Sequence, residues 1–273
     1  MKTILVATDY SDTATNALHY GASIAREFSA ELILFNVYNV SIQIRNALVT
    51  PEAVDHMIKN NEDRLKAVAA ETAKQYQIKV SQVIKTADTV KEMESYLSAQ
   101  PVDLIVMGMD SNLPDYKLFG NTTTAAIRKI KSPLLVVPND VSFDGIKKIL
   151  YACEYTYLSK DNHLSILKEI ARKFHAELEV LHVETEIREQ TAIKSGQQIH
   201  AVDAILQDTD HTYNFVENLN VGEGIMQEVQ AWQADMLVMV PHKTRLLEYL
   251  LSGSDTRKIA LRTRVPLLVL PNH

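Results

Sequence analysis

Ile24-Ala25-Arg26-Glu27-Phe28-Ser29-Ala30-Glu31-Leu32 returns later in the chain as Ile170-Ala171-Arg172-Lys173-Phe174-His175-Ala176-Glu177-Leu178, with seven of nine positions identical at an offset of 146. The segment Pro133-Leu134-Leu135-Val136-Val137-Pro138-Asn139 returns as Pro266-Leu267-Leu268-Val269-Leu270-Pro271-Asn272 at an offset of 133, so the second copy is 13 residues shorter across its middle. A period this long marks two domains and not a solenoid of short repeats. The expected domains are 1–140 and 146–273, joined by a polar linker over 139–145 that carries Asp140 and Gly145.

Working outward from the repeat, each copy alternates short apolar runs with helical periodicity. Ile4 to Thr8 reads as a strand buried on both faces. Ser11 or Asp12 can cap the helix that follows, whose Ala14, Ala17, Leu18, Gly21, Ile24, Ala25 and Phe28 form one apolar stripe. Strands are expected at 32–38, 78–84, 103–107 and 134–137, and helices at 51–76, 89–100 and 122–130. Pro51 suits a first helical turn, and Pro101 ends a helix. The second copy repeats the order, with strands near 149–153, 178–182, 213–216, 236–240 and 267–270, and with a short or irregular helix expected in 184–210. Strand-helix alternation implies parallel sheets with right-handed crossovers, a doubly wound α/β class.

Composition narrows the partners. Of 273 residues, 46% are hydrophobic and 23% charged, which is the balance of a globular protein with real cores. The 28 basic and 34 acidic residues leave a net charge of −6, which argues against nucleic acid or anionic membrane as the main partner. No apolar run reaches the roughly 20 residues of a membrane span, and the apolar start Ile4-Leu5-Val6-Ala7 is too short for a signal-peptide core. The lone Cys153 forbids an intrachain disulfide. These features lead us to expect a cytoplasmic protein.

Four motifs stand in order in the first copy: a first strand ending Val6-Ala7-Thr8-Asp9, a fourth ending Ile105-Val106-Met107-Gly108, a helix start at Gly120-Asn121-Thr122, and the closing Pro133–Pro138 strand. In this order and spacing, met twice, the sequence resembles the universal stress protein family over essentially its whole length. The resemblance implies two tandem five-stranded parallel sheets of order 3-2-1-4-5. It also implies pairing of the domains through their last strands about a pseudo-twofold axis, an intrachain pseudo-dimer that leaves room for a further homodimer. It implies a regulatory or binding role in stress response, exerted through protein partners, and no catalytic centre.

Nucleotide-binding members of that family carry a glycine signature: Gly, two residues, Gly, nine residues, then Gly-Ser or Gly-Thr. Glycines let the backbone approach phosphate, helix N-terminal amides supply donors, and a small hydroxyl adds another. Carried onto the first copy, the resemblance assigns Thr8, Asp9 and Val37 to the nucleoside of ATP or AMP, and Met107, Gly108, Ser111, Gly120, Asn121 and Thr122 to its phosphate side. Ser111 stands where the second glycine belongs, the spacer 112–119 is one residue short, and Asn121 replaces the hydroxyl. Asp110 and Asp115 face a single Lys117, a poor balance for a triphosphate. The second copy keeps Gly253-Ser254 at full spacing but has Glu154 for the aspartate and Val240 and Lys243 for the first two glycines. A β-branched Val240 at a turn needing positive φ would be strained, and Pro241 lacks an N–H, so no ATP site is expected there despite His242, Lys243 and Arg245.

Other chemistry is thinly represented. Gly108 and Gly120 can equally serve as turn and helix-start residues of the fold. Ser252-Gly253-Ser254-Asp255-Thr256 looks like a phosphate loop of ATP pyrophosphatases, but it follows the fourth strand and not the first. His200, Asp203, Asp208, Asp210 and His211 lack a tight ligand spacing, so no metal is expected, and Cys153 reads as an inert core thiol. Slow ATP hydrolysis would rest on Asp9 and Ser111 alone, with no identifiable magnesium ligand. The expectation is a binding module or, alternatively, a pure interaction module without nucleotide.

Overall fold

The computed structural model describes residues 1–38, 50–86, 88–110, 121–153, 164–184, 202–240 and 265–271. They fall into two compact units, the first Met1–Met109 with Asn121–Phe143 and the second from Asp144 onward.

The first unit runs β1 (Thr3–Thr8), α1 (Asp12–Phe28), β2 (Glu31–Val37), α2 (Pro51–Tyr76), β3 (Val80–Lys85), α3 (Thr89–Ala99), β4 (Leu104–Met109), α4 (Asn121–Lys129) and β5 (Leu134–Pro138). All pairings are parallel, in the order β3-β2-β1-β4-β5. Ile4, Leu5, Val6, Leu104, Ile105 and Val106 are wholly buried, as continuous apolar runs predict for central parallel strands. Ser11 is the N-cap of α1, its hydroxyl accepting from the Ala14 amide. The stripe on α1 lies on the sheet so closely that a Cβ at Gly21 would come 2.9 Å from Val6 Cγ2. Thr50 caps α2, which starts at Pro51 and ends at Tyr76 as the sequence predicts.

The second unit runs β6 (Lys148–Ala152), α5 (Ser165–Phe174), β7 (Glu177–Glu184), β8 (Thr212–Glu217), α6 (Val221–Ala231), β9 (Met236–Met239) and β10 (Leu267–Val269). Its parallel order β8-β7-β6-β9-β10 repeats 3-2-1-4-5. Within the stretch where an irregular helix is expected, residues 202–206 are helical and 185–201 lie outside the described residues.

The duplication reaches single hydrogen bonds. Asp103 Oδ2 accepts from the Lys2 and Thr3 amides, and Asp235 Oδ2 from those of Lys147 and Lys148. Each aspartate thereby ties the start of the fourth strand to that of the first. The left-handed residues Ser29 (φ 52) and His175 (φ 51) close α1 and α5 with the same pair of amide-to-carbonyl bonds. Polar side chains, unlike at these sites, can serve one duty: Asn36 Nδ2 donates to the Thr8 carbonyl at 2.8 Å, and His182 Nδ1 donates to the Cys153 carbonyl at 3.1 Å.

Candidate functional site

In an open parallel sheet the carboxyl ends of the strands flanking the order reversal leave a crevice, here between β1 and β4. The β1–β2 ladder continues to Thr8↔Asn36, whereas the β1–β4 ladder stops at Val6↔Val106. Beyond Val106, β4 stays with β5 as far as Met109↔Pro138. Strands β1 and β4 therefore diverge before β1 ends, with Ala7 and Thr8 lying beyond their last pair.

Thr8 and Asp9 stand at that end. Thr8 is buried, its hydroxyl accepting from the Tyr10 amide at 3.0 Å. Asp9 is exposed; its Oδ1 accepts from the Ser11 amide at 3.0 Å and the Ser11 hydroxyl at 2.6 Å. These bonds use one carboxylate oxygen and leave Oδ2 without a protein donor among the described residues. Val37 closes β2 and is half-buried. Met107 is buried within β4. Thr122 is exposed in the first turn of α4, and Asn121 is that helix's first residue. Ser111 and Gly120 lie outside the described residues.

Gly108 differs from its sequence reading in a way that matters. It lies within β4, in register with Val137, and its backbone is not left-handed. A Cβ there would sit 2.5 Å from the Thr13 carbonyl oxygen and 2.8 Å from the Thr13 carbonyl carbon. Gly108 is thus required because the first turn of α1 crosses directly over it, and its own carbonyl accepts from the Thr123 hydroxyl at 3.2 Å. Val240, its counterpart, is buried and is not left-handed either. The expectation of a turn needing positive φ is corrected: the constraint on glycine is backbone contact and not backbone conformation. Glu154, Lys243 and Gly253-Ser254 lie outside the described residues.

A polar chain beneath the site was not visible in the motifs. Asn61 Nδ2 donates to Asn36 Oδ1 at 2.8 Å, and both side chains are buried, joining α2 to the end of β2. Tyr10, with φ 65, sits in the left-handed region, which costs a bulky residue about 1–3 kcal/mol. Its hydroxyl donates to the Asn61 carbonyl at 3.3 Å, and the Arg64 guanidinium lies 4.0 Å from the ring centroid. Burial pushes the Tyr10 hydroxyl pKa up, and Arg64 opposes that rise. The one sequence signal was Asn36, a polar residue inside the apolar run Leu32–Val37. Arg64 on the charged face of a long helix gave none.

The acidic and histidine group of the second unit forms hydrogen bonds of its own. The Tyr213 hydroxyl donates to Asp203 Oδ1 at 2.7 Å, and His211 Nε2 lies 3.1 Å from the same oxygen. The Asp208 carbonyl and carboxylate take Arg172. His200 lies outside the described residues, which contain no group of three or more His, Cys, Asp or Glu able to hold a metal ion.

The model of the universal stress protein family matches residues 1–138 and again 145–271. A universal stress protein of Methanocaldococcus jannaschii is 25% identical over 138 residues, 50% of this chain and 81% of that one. The crystal structure of a universal stress protein from Archaeoglobus fulgidus matches with a TM-score of 0.75 at 18% identity, covering 99% of this chain and 98% of that chain, a likeness of fold. A universal stress protein solved in complex with cAMP matches with a TM-score of 0.39 at 22% identity, covering 50% of this chain and 96% of that chain.

Proposed function

The chain belongs to the universal stress protein family, and from that premise we propose that it is a stress-response protein whose first domain binds an adenine nucleotide, ATP or AMP. The binding site is the crevice between the ends of β1 and β4, and the protein acts through partners and not by turning over substrate. One observation carries the reading: β1 and β4 diverge beyond Val6↔Val106, and Asp9 stands exposed at that divergence with Oδ2 unused among the described residues. A carboxylate oxygen so placed accepts from a ribose hydroxyl or an adenine amino group. In this reading Thr8 and Val37 take the nucleoside side, and Met107, Gly108 and Thr122 the phosphate side, with Ser111, Gly120 and Asn121 assigned to it by the signature alone.

A second reading, an interaction module without nucleotide, is favoured by one fact. The contact with Thr13 accounts for Gly108 without any phosphate. Isothermal titration with ATP and AMP separates the two. Wild type is expected to bind, and Asp9→Ala to lose at least tenfold in affinity, on the order of one charge-assisted hydrogen bond. Equal affinity in both proteins removes Asp9 from the site, and absence of binding in wild type leaves the interaction module.

A further inference from the structure

Five non-glycine residues among those described have positive φ, and four of them, Ser29, Gln77, His175 and Gln233, follow the ends of helices. Tyr10 is the exception: it sits in the turn between β1 and α1, directly after Asp9. A left-handed aromatic residue persists only when its surroundings hold it. Here the Thr8 hydroxyl takes the Tyr10 amide and the Asn61 carbonyl takes the Tyr10 hydroxyl, so the ring lies toward α2.

Arg64 lies on α2 one turn beyond Asn61, with its guanidinium 4.0 Å from the centre of that ring. The Arg64 side chain is exposed and has no carboxylate or carbonyl partner among the described residues. Its helix is locked to the strand ends by the buried Asn61–Asn36 and Asn36–Thr8 bonds. The result is a guanidinium over the Tyr10 ring, beside the strand end that carries Thr8 and Asp9. Guanidinium planes stack on nucleobases, and a plane already fixed on an aromatic ring loses little freedom in doing so. In the sequence, the glycine signature lacks its second glycine and carries Asp110 and Asp115 with a single Lys117. Recognition is weighted away from phosphate.

We infer that Arg64, held flat by Tyr10, is the base-stacking plate of the first domain, so that the site grips the purine end of a nucleotide more than its phosphates. This inference rests on the nucleotide reading given above. Titration of the full chain with ATP, AMP and adenosine tests it. The three are expected to bind within a few-fold of one another. Arg64→Ala is expected to weaken all three by about tenfold, the scale of one stacked base. Arg64→Lys is expected to do the same, because an ammonium has no plane to offer. Both substitutions fall on an exposed side chain, and circular dichroism checks that the fold is kept. Loss of ATP affinity with adenosine unchanged would make Arg64 a phosphate contact and overturn the plate. Tighter binding in Arg64→Ala would make the pair a plug and overturn it equally. Wild-type binding unaffected by either substitution overturns the plate alone, while a wild type that binds none of the three overturns the nucleotide reading and the plate with it.

Discussion

Gly108 and Val240 hold the same place in the two copies, directly after Met107 and Met239 of the fourth strands, and the two residues differ in what they admit. In the first domain the glycine admits the Thr13 backbone, and the β1–β4 ladder stops at Val6↔Val106. In the second domain a buried valine stands at that place, and the β6–β9 ladder runs one pair further, to Ala152↔Met239. In one copy the first helix crosses the fourth strand and the ladder stops early; in the other the ladder between the first and fourth strands continues past that point. A glycine retained at a signature position therefore need not report a ligand. It can report the neighbour that leans on it.

The largest effect is expected from exchanging these residues. Gly108→Val drives a β-branched side chain into Thr13 backbone that has no rotamer in which to escape. A loss of about 3 kcal/mol in the first domain is expected, the upper range for overpacking. Val240→Gly removes a buried side chain and stiffness of the unfolded chain together, for about 2–3 kcal/mol. Chemical denaturation followed by circular dichroism measures both. If Gly108→Val kept the wild-type midpoint, the packing account of this glycine would be wrong. The same argument makes Gly108→Val a poor probe of ligand binding, because unfolding alone would abolish it; Asp9 and Arg64 are the cleaner positions.

This contrast also marks where the sequence is legible. The bounds of α2 and the Ser11 cap follow from apolar periodicity and capping chemistry, which are local, whereas both strand orders were legible only through the family resemblance. The role of Gly108 does not, because Thr13 meets it from another element. Asn36 was half legible: an amide in an apolar strand had to find a partner, but Asn61 is 25 residues away. Arg64 was not legible, since nothing distinguishes it from the other charges of α2 until Tyr10 turns beneath it.

Glu179 sharpens the comparison on the second strand. Its counterpart in the first domain is Ile33, and both are buried. Burial is the main cause that raises the Glu179 carboxyl pKa, and Glu228 adds to it, while the Asn214 hydrogen bond and Lys148 oppose it. The folded second domain therefore holds this proton more tightly than the unfolded chain does. Its stability is expected to fall as pH rises from the ordinary glutamate value through the raised one. Glu179→Gln keeps an acceptor for Asn214 at 3.1 Å and removes the titration. The variant is expected to be more stable than wild type at neutral pH, and its stability to vary less from the ordinary glutamate value up to neutral pH. Fluorescence of Trp232, the single tryptophan, reports the domain in question. A wild type whose midpoint rises across that interval with respect to the variant would reverse the assignment.

The smallest effect separates the copies at the start of the same strand. Glu31 Oε2 accepts from Lys79 Nζ at 2.8 Å, while Glu177, its counterpart, has no ion pair among the described residues. Lys79 is 77% exposed, so water competes for the pair and ordering its long side chain offsets much of the attraction. Lys79→Ala is expected to cost about 0.5 kcal/mol or less, and the difference from wild type is expected to vanish at about 1 M salt, where screening acts within a few ångströms. Its pH dependence has the opposite sign to that of Glu179. The Lys79 hydrogen bond is the main cause that lowers the Glu31 carboxyl pKa, so its contribution is present above the ordinary glutamate value and is lost as pH falls through the lowered one. A salt-independent loss of more than about 1 kcal/mol would mean that the Lys79 stem, and not its charge, stabilises the β2–β3 edge through packing.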